Sequence, residues 1–205
     1  MPPSAPETTR PTDRFLRWLY LIGGSIGFVA AFVLLVEKIE LLKDPSYVPS
    51  CSINPVLSCG SIMKTEQAEL FGFPNPVLGV AGFAVVITVG AAMIGGVQFH
   101  RWFWTGLQLG VIAGAALVHW LIFQSLYRIG ALCPYCMVVW VVTIPICWYT
   151  TLRTLAQSTA HKDGRLLALT LKASEYHGTV LTAWYLVVGG LITQRFWEYW
   201  TTLWS

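Results

Sequence analysis

The sequence predicts an all-α integral membrane protein, built as one compact bundle of helices. Hydrophobic residues make up 55% of its 205 residues, and charged residues only 11%. Its mean hydropathy is +0.60, so the chain has too little polar surface to cover a water-soluble globule. Apolar stretches long enough to cross about 30 Å of hydrocarbon as helices of about 20 residues lie at approximately 15–37, 76–97, 103–126, 132–152 and 179–200.

The segments around these stretches divide the chain. Residues 1–14, rich in Pro, Ser and Thr, are expected to form a disordered cytoplasmic tail. The apolar stretch that follows is longer than a signal-peptide core of about 7 to 15 residues, so we expect a membrane anchor. The 153–178 segment is expected to be a cytoplasmic connector, which leads to a fifth transmembrane helix within 179–205.

The longest external segment, residues 38–74, joins the first and second apolar stretches. A loop of this length between closely spaced helices usually carries function. Its second half, from Lys64 to Phe73, mixes charged side chains with Leu70 and Phe71. We expect this part to lie as a short amphipathic lid over the bundle.

The distribution of Lys and Arg favours a cytoplasmic N-terminus. This orientation puts eight basic residues on the cytoplasmic side and five outside, and insertion responds to this bias. It also puts the 38–74 loop and Cys133 on the outer face of the inner (plasma) membrane, where disulfides can persist. The net charge of +3 is then explained by insertion. Because the basic residues form no stripe, we expect no nucleic-acid partner.

The motif Cys133-Pro134-Tyr135-Cys136 stands at the head of the fourth apolar stretch. Pro134 suits the first position of a helix, so Cys133 is predicted to be the N-cap and Cys136 to lie in the first turn. A helix N-terminus stabilises a thiolate, whereas burial raises the pKa of a thiol. We therefore predict a reactive dithiol whose two sulfurs can close a reducible disulfide.

A second pair, Cys51 and Cys59, lies in the external loop. Such a pair can exchange disulfides with the first by thiolate attack on sulfur, and so connect a soluble thiol protein to the membrane. Two alternatives stay open: static disulfides, and a structural zinc site, which the wide spacing and the oxidising face disfavour. We predict no metal. Cys147, deep in the fourth stretch, is expected to be an inert apolar side chain.

Three further side chains are candidates for binding. Trp140 lies one turn deeper than Cys136, and either walls a pocket for a planar ring or packs in the core. Asn75 precedes Pro76 and either caps the second helix, donates a hydrogen bond to a ligand carbonyl, or does both. His119 lies at membrane depth and either supplies protons or, as we favour, hydrogen-bonds to another helix.

Glycines recur four residues apart in two of the apolar stretches. They are Gly23 and Gly27 in the first stretch, and Gly106, Gly110 and Gly114 in the third. Small residues at this spacing line one helical face and let helix backbones approach closely in lipid. We expect both faces to be packing surfaces.

The sequence resembles the vitamin K epoxide reductase family, in its bacterial disulfide-forming branch. The resemblance covers about residues 15–152, and the order and spacing of its motifs make it specific, as a lone Cys-x-x-Cys would not be. The motifs are Cys51 and Cys59 in the first external loop, Asn75-Pro76-Val77-Leu78-Gly79 at the start of the second helix, and Cys133-Pro134-Tyr135-Cys136 at the head of the fourth.

The resemblance implies a four-helix catalytic bundle around a quinone, with menaquinone as the expected quinone. By position, Cys136 would attack the quinone, Cys133 would exchange with Cys59, and Cys51 would meet a thioredoxin-like (DsbA-type) extracytoplasmic partner. Asn75 would hydrogen-bond to a quinone oxygen.

The resemblance is incomplete in two places. Trp140 stands where animal members have a tyrosine that holds the other quinone oxygen, and its indole N–H can donate in a similar way. No thioredoxin-like domain follows the core, so the partner is expected to be a separate protein.

Thr65 falls where the family tends to have a hydroxyl residue near the loop cysteines.

The sequence therefore predicts a membrane oxidoreductase that reoxidises such a partner and passes the electrons to a quinone through two cysteine pairs. Alternatives are a quinone or vitamin K epoxide reductase that uses small thiols, and a non-enzymatic metal-binding or transport protein. An unrelated quinone-linked disulfide-forming family has its membrane Cys-x-x-Cys before the loop pair, and the order here is the reverse. The helix interiors contain no Asp or Glu, which argues against an ion path.

Overall fold

The computed structural model describes residues 11–159 and 175–202. The chain is all-α as predicted, because these residues contain no β-strand and only one isolated bridge. The first long helix consists of Pro11–Trp18, a π-helical turn Leu19–Gly23, and Gly24–Lys43. The second helix is Pro76–Ile94, and the third is Arg101–Phe123, which continues into a π-helical turn Gln124–Ile129. The fourth helix is Pro134–Thr159 and the fifth is His177–Arg195.

Within the described ranges, 4 helices are long and apolar enough to cross a membrane. The fifth long helix, His177–Arg195, is not one of them, so its crossing of the bilayer stays a prediction. The expected four-helix core is therefore present as an arrangement of helices. Its spans are Asp13–Lys43, Pro76–Ile94, Arg101–Ile129 and Pro134–Gln157.

The first and fourth helices extend beyond the bounds that the sequence suggested. The first begins at Pro11, within the predicted tail, and ends at Lys43, since Asp44 precedes Pro45 and is already extended. The fourth continues to Thr159, into the predicted connector. Residues 1–10 of the tail and residues 160–174 of the connector lie outside the described residues.

One of the two glycine faces packs as expected. A Cβ on Gly27 would lie 2.4 Å from Phe83 Cζ, so the first helix approaches the second more closely than any larger residue would allow. The face on the third helix does not pack. Gly106, Gly110 and Gly114 have no atom within 4 Å of a Cβ position, and they line an open cavity. Spacing alone cannot distinguish these two uses of glycine.

The fifth helix is fixed to the bundle by hydrogen bonds in addition to apolar contacts. Trp184 Nε1 donates to His119 Nε2 at 2.9 Å, and the other ring nitrogen of His119 lies 2.7 Å from the Ala115 carbonyl oxygen. Tyr185 Oη donates to the Val141 carbonyl oxygen at 2.7 Å. The helix-to-helix hydrogen bond that we favoured for His119 is therefore present.

The segment between the first two helices folds back over the end of the bundle. It contains a short helix, Cys59–Met63, and a 3₁₀ turn, Glu66–Glu69. In the second half the large side chains of Leu70 and Phe71 are exposed, while Ala68 lines the cavity beneath. This amphipathic arrangement matches the lid expected over residues 64–73, and we call that segment the lid.

Candidate functional site

The loop cysteines are joined and buried. Cys51 and Cys59 form a disulfide, and their exposed fractions are 4% and 0%. Asn54 Oδ1 accepts hydrogen bonds from the N–H groups of Val56 and Leu57 at 3.0 and 2.7 Å, which turns the chain between the two cysteines. The loop pair is thus held in a compact, hydrogen-bonded turn.

A backbone bridge aligns this turn with the segment that leads into the fourth helix. The Leu132 N–H donates to the Val56 carbonyl oxygen at 2.7 Å, and the Ser58 N–H donates to the Leu132 carbonyl oxygen at 2.9 Å. Cys59 directly follows Ser58, and Cys133 directly follows Leu132. As a result, Cys59 Sγ lies 3.1 Å from Cys133 Sγ. The structure therefore brings the loop pair and the helix pair together at one end of the bundle.

Cys133 occupies the N-cap position of the fourth helix, as Pro134 predicted. Its carbonyl accepts from the Met137 N–H at 3.0 Å, and its sulfur accepts from the Cys136 N–H at 3.3 Å. The hydrogen bond from the Cys136 side chain lowers the pKa of the Cys133 thiol most; burial opposes this, and the N–H groups of Cys136 and Tyr135 lower it further. The net shift is downward, which favours the thiolate needed for exchange.

An apolar cavity of about 560 Å³ opens beneath the cysteines. The third helix lines it from Trp102 to Leu121, a rise of roughly 28 Å at 1.5 Å per residue, so it follows most of the span. Its lining residues include three cysteines, an asparagine and a tryptophan that the sequence singled out: Cys59, Cys133, Cys136, Asn75 and Trp140.

Asn75 does not cap the second helix, contrary to one of its two predicted roles. Its backbone is already helical and its side chain makes no capping bond. Instead Asn75 Nδ2 donates to the Gln67 carbonyl oxygen at 2.7 Å, and Oδ1 accepts from the Leu70 N–H at 3.1 Å. The amide binds the lid backbone instead of its own helix because the lid lies directly above it. One N–H of the amide is left over from these two bonds.

Trp140 and Thr65 fit their predicted surroundings to different degrees. Trp140 is 3% exposed, belongs to a packed apolar cluster and also lines the cavity, so its packing and pocket roles coexist. Thr65 Oγ1 donates to the Ile62 carbonyl oxygen at 2.7 Å. This bond lies at the end of the short helix that begins with Cys59, and it ties the start of the lid to that helix.

Two charged residues that the sequence interpretation left unassigned hold the loop over the cavity. Lys38 is buried, lines the cavity, donates to the Met63 carbonyl oxygen at 2.6 Å and pairs with Glu69 at 2.9 Å. Glu37 Oε1 accepts from Ser50 Oγ at 2.5 Å. The signal was available in the sequence, since adjacent charges that end an apolar helix need partners.

The sulfurs of Cys51, Cys59 and Cys133 all lie within 4.8 Å of one another, which is close enough to surround a metal ion. Metal binding needs thiolates, however, and two of these sulfurs are joined as a disulfide. A thiol 3.1 Å from a disulfide sulfur suits thiol-disulfide exchange instead.

Comparison with protein families places the site in a known context. Residues 18–151 match the model of the vitamin K epoxide reductase family, which is more than half of the chain. The match contains the cysteines of both pairs and nearly all of the four spans. A search of the curated proteins finds no match. On its sequence and on the helical bundle that carries its cysteines, this chain belongs to the vitamin K epoxide reductase family of multi-pass membrane oxidoreductases.

Proposed function

We propose that the protein reoxidises a separate thioredoxin-like extracytoplasmic protein and passes the electrons to a quinone, menaquinone in the first instance. One observation carries the proposal. Cys59 Sγ lies 3.1 Å from Cys133 Sγ, and both residues line the head of an apolar cavity. Electrons can therefore move from the loop pair to the helix pair, and from there into a space open to an apolar acceptor.

The relay consists of thiol-disulfide exchanges, each of which breaks one S–S bond and forms another. A partner thiolate attacks Cys51 and releases Cys59. The second partner thiolate then attacks the partner sulfur of this mixed disulfide and releases Cys51, so that the partner leaves as a disulfide and the loop pair is reduced. The Cys59 thiolate attacks Cys133 of an oxidised helix pair, and Cys136 leaves as a thiolate. Cys51 then attacks Cys59 and releases Cys133. Two electrons and two protons have moved from partner to helix pair.

The redox state in the structure corresponds to the end of this sequence. The loop pair is a disulfide, while Cys133 and Cys136 are free thiols. Cys136 lies within the membrane span that begins at Pro134 and lines the cavity, whereas Cys133 precedes that span and has its sulfur 3.1 Å from the loop disulfide. This supports a division of labour in which Cys133 exchanges with the loop and Cys136 delivers electrons to the cavity.

The cavity fits a quinone. Its lining is almost wholly apolar, which suits an isoprenoid tail, and polar side chains are concentrated at the cysteine end. A bound quinone accepts two electrons and two protons and leaves as a quinol. Asn75 offers its remaining N–H to a ring oxygen, with its orientation fixed by the lid. Trp140 walls the same space.

The orientation completes the proposal: N-terminus in the cytoplasm, cysteines outside the plasma membrane. Two arginines support it, since Arg101 bonds to the Gln157 carbonyl and Arg153 pairs with Asp13, all at the end of the bundle opposite to the cysteines. Positive charge at that end favours its retention inside. The cysteine end then faces an oxidising compartment, as in the bacterial disulfide-forming branch.

The test mixes purified protein with a reduced thioredoxin-like protein and a quinone, and follows quinone absorbance. Replacing Cys136 by Ala should abolish turnover with protein and small-thiol donors alike. Replacing Cys51 by Ala should abolish turnover with the protein donor only, since a small thiol can reduce the helix pair directly. The Cys147→Ala variant is the matched control and should retain activity. Identical behaviour of the Cys51 and Cys136 variants with a small thiol would refute the division of labour.

A second candidate, a quinone or vitamin K epoxide reductase that uses small thiols, is favoured by one observation. Cys51 is only 4% exposed, so a small thiol reaches it more readily than a folded protein does. The same assay separates the two candidates. If turnover per mole of donor is at least about tenfold faster with the thioredoxin-like protein than with a small thiol, the protein donor is favoured by about 1.4 kcal/mol. That result supports the first candidate. A reversed preference, or reduction of an epoxide, supports the second.

A further inference from the structure

The fifth helix lies outside the residues that match the family, yet its last residue contacts the segment that carries Cys133. Arg195 Nε donates to the Leu126 carbonyl oxygen at 2.7 Å. Leu126 is fully buried, and its carbonyl belongs to the last turn of the third helix, where carbonyl groups lack partners within the helix. Arg195 satisfies this carbonyl and puts a positive charge at the negative end of the helix dipole.

The same guanidinium reaches the turn that follows the third helix. A Cβ on Gly130 would lie 3.8 Å from Arg195 Nη2. Gly130 has a φ of +71°, which favours glycine, and its N–H donates to the Ser125 carbonyl oxygen at 2.9 Å. The turn precedes Cys133 by three residues. Arg195 therefore binds the end of the helix and lies beside the reversal that directs the chain toward the sulfur.

Phe196 extends this contact to the loop pair. It is buried in the same packed cluster as Val56 and Leu132. These two residues are joined by the backbone hydrogen bond of 2.7 Å that aligns Cys59 with Cys133. The end of the fifth helix thus packs against both segments whose register sets the distance between the exchanging sulfurs.

We propose that Arg195 is a positioning residue for the sulfur relay, and that it holds the 126–133 segment so that Cys133 stays within exchange distance of Cys59. It touches neither sulfur, and acts through the Leu126 carbonyl and the Gly130 turn. This role rests on the proposed function, because it concerns the exchange between the two pairs. It gives the fifth helix a part in the chemistry of the core.

The test measures closure of a Cys59–Cys133 disulfide. The parent protein carries Cys51→Ser, Cys136→Ser and Cys147→Ala, so that only these two thiols remain. Diamide removes two electrons and two protons from the thiols as the S–S bond forms. Samples quenched with an alkylating reagent over time are analysed by mass spectrometry, which gives the rate of closure in detergent.

Arg195→Ala should slow closure by about tenfold, since the Leu126 carbonyl loses its hydrogen bond and the helix end loses the positive charge beside it. Arg195→Lys keeps the charge but not the fixed Nε donor. Its closure rate should lie between those of Arg195→Ala and the parent. Arg128→Ala is the matched control. It removes a basic residue from the last turn of the same helix, is exposed, and should close at the parent rate.

Equal closure rates in Arg195→Ala and the parent would overturn the proposal. If Arg195→Ala does not purify as a folded protein, Arg195→Lys carries the test, and a parent rate in that variant together with weakened thermal stability would show a merely structural role. A second readout excludes general damage: turnover with the protein donor should fall, while turnover with a small thiol should not. Closure needs neither quinone nor partner, so its failure is distinguishable from failure of the proposed function.

Discussion

Cys133 combines three local properties that suit a sulfur that exchanges disulfide bonds with two neighbours. It caps a helix, it accepts a hydrogen bond from the Cys136 N–H at 3.3 Å, and it lies 3.1 Å from a disulfide sulfur. With an exposed fraction of 1%, it is out of reach of the thiols of a folded partner. The lowered pKa of its thiol favours the thiolate, while burial restricts its exchange with protein thiols to the neighbour that the fold provides.

Substitution of Cys136 should move the titration of Cys133. The side-chain hydrogen bond from Cys136 is the largest cause of the lowered Cys133 pKa, so Cys136→Ala should raise that pKa toward its ordinary value. The thiolate is the form that absorbs in the ultraviolet, and it should then disappear at a higher pH as the solution is acidified. The measurement is thiolate absorbance against pH in a Cys147→Ala background. An unchanged titration would contradict the assigned cause.

At the scale of single residues, the sequence was informative wherever the determinants are local. Pro134 predicts the cap at Cys133 because both belong to one turn. The sequence alone could not predict the full role of Asn75, since its partners are backbone groups of Gln67 and Leu70 in the lid. Lys38 was missed for the same reason: its partner Glu69 is distant in sequence.

The third helix is the element that gives the cavity its length. Gly106, Gly110 and Gly114 place bare backbone along its inner face. The same spacing on the first helix produces a tight contact between Gly27 and Phe83. The pattern predicts a small-residue face in both cases, but whether a neighbour fills it depends on the tilt of the helices, which a single sequence does not encode locally.

Filling this face should impair the use of long-tailed quinones. A leucine at Gly110 meets no atom within 4 Å at its Cβ, so Gly110→Leu should fold normally while occupying the cavity. We expect the KM for a long-tailed quinone to rise about tenfold, about 1.4 kcal/mol, with a smaller change for a tail-less analogue. Gly189→Leu, which also meets no atom but lies on the fifth helix away from the cavity, is the control. Equal effects on both quinones would contradict the assignment of this face to the tail.

As a whole, the molecule collects its redox sulfurs at one of its two ends. The cysteine pairs, the lid and the buried Lys38 occupy one end, and the ion pair of Arg153 with Asp13 occupies the other. The apolar cavity runs from the cysteine end along the membrane-spanning helices. The sequence predicts this plan because helix polarity alternates along the chain, which brings the ends of odd and even helices together. It could not predict the distance between sulfurs, which depends on the Leu57 to Leu132 bridge.

The most direct test of the relay is time-resolved disulfide mapping after a quinone is added to the fully reduced protein without oxygen. The Cys133–Cys136 disulfide should appear first and the Cys51–Cys59 disulfide later, because electrons leave the loop only through the helix pair. In a Cys133→Ser variant the loop pair should stay reduced. Rapid oxidation of the loop pair in that variant would contradict the account, since the loop would then reach the quinone without the sulfur assigned to connect them.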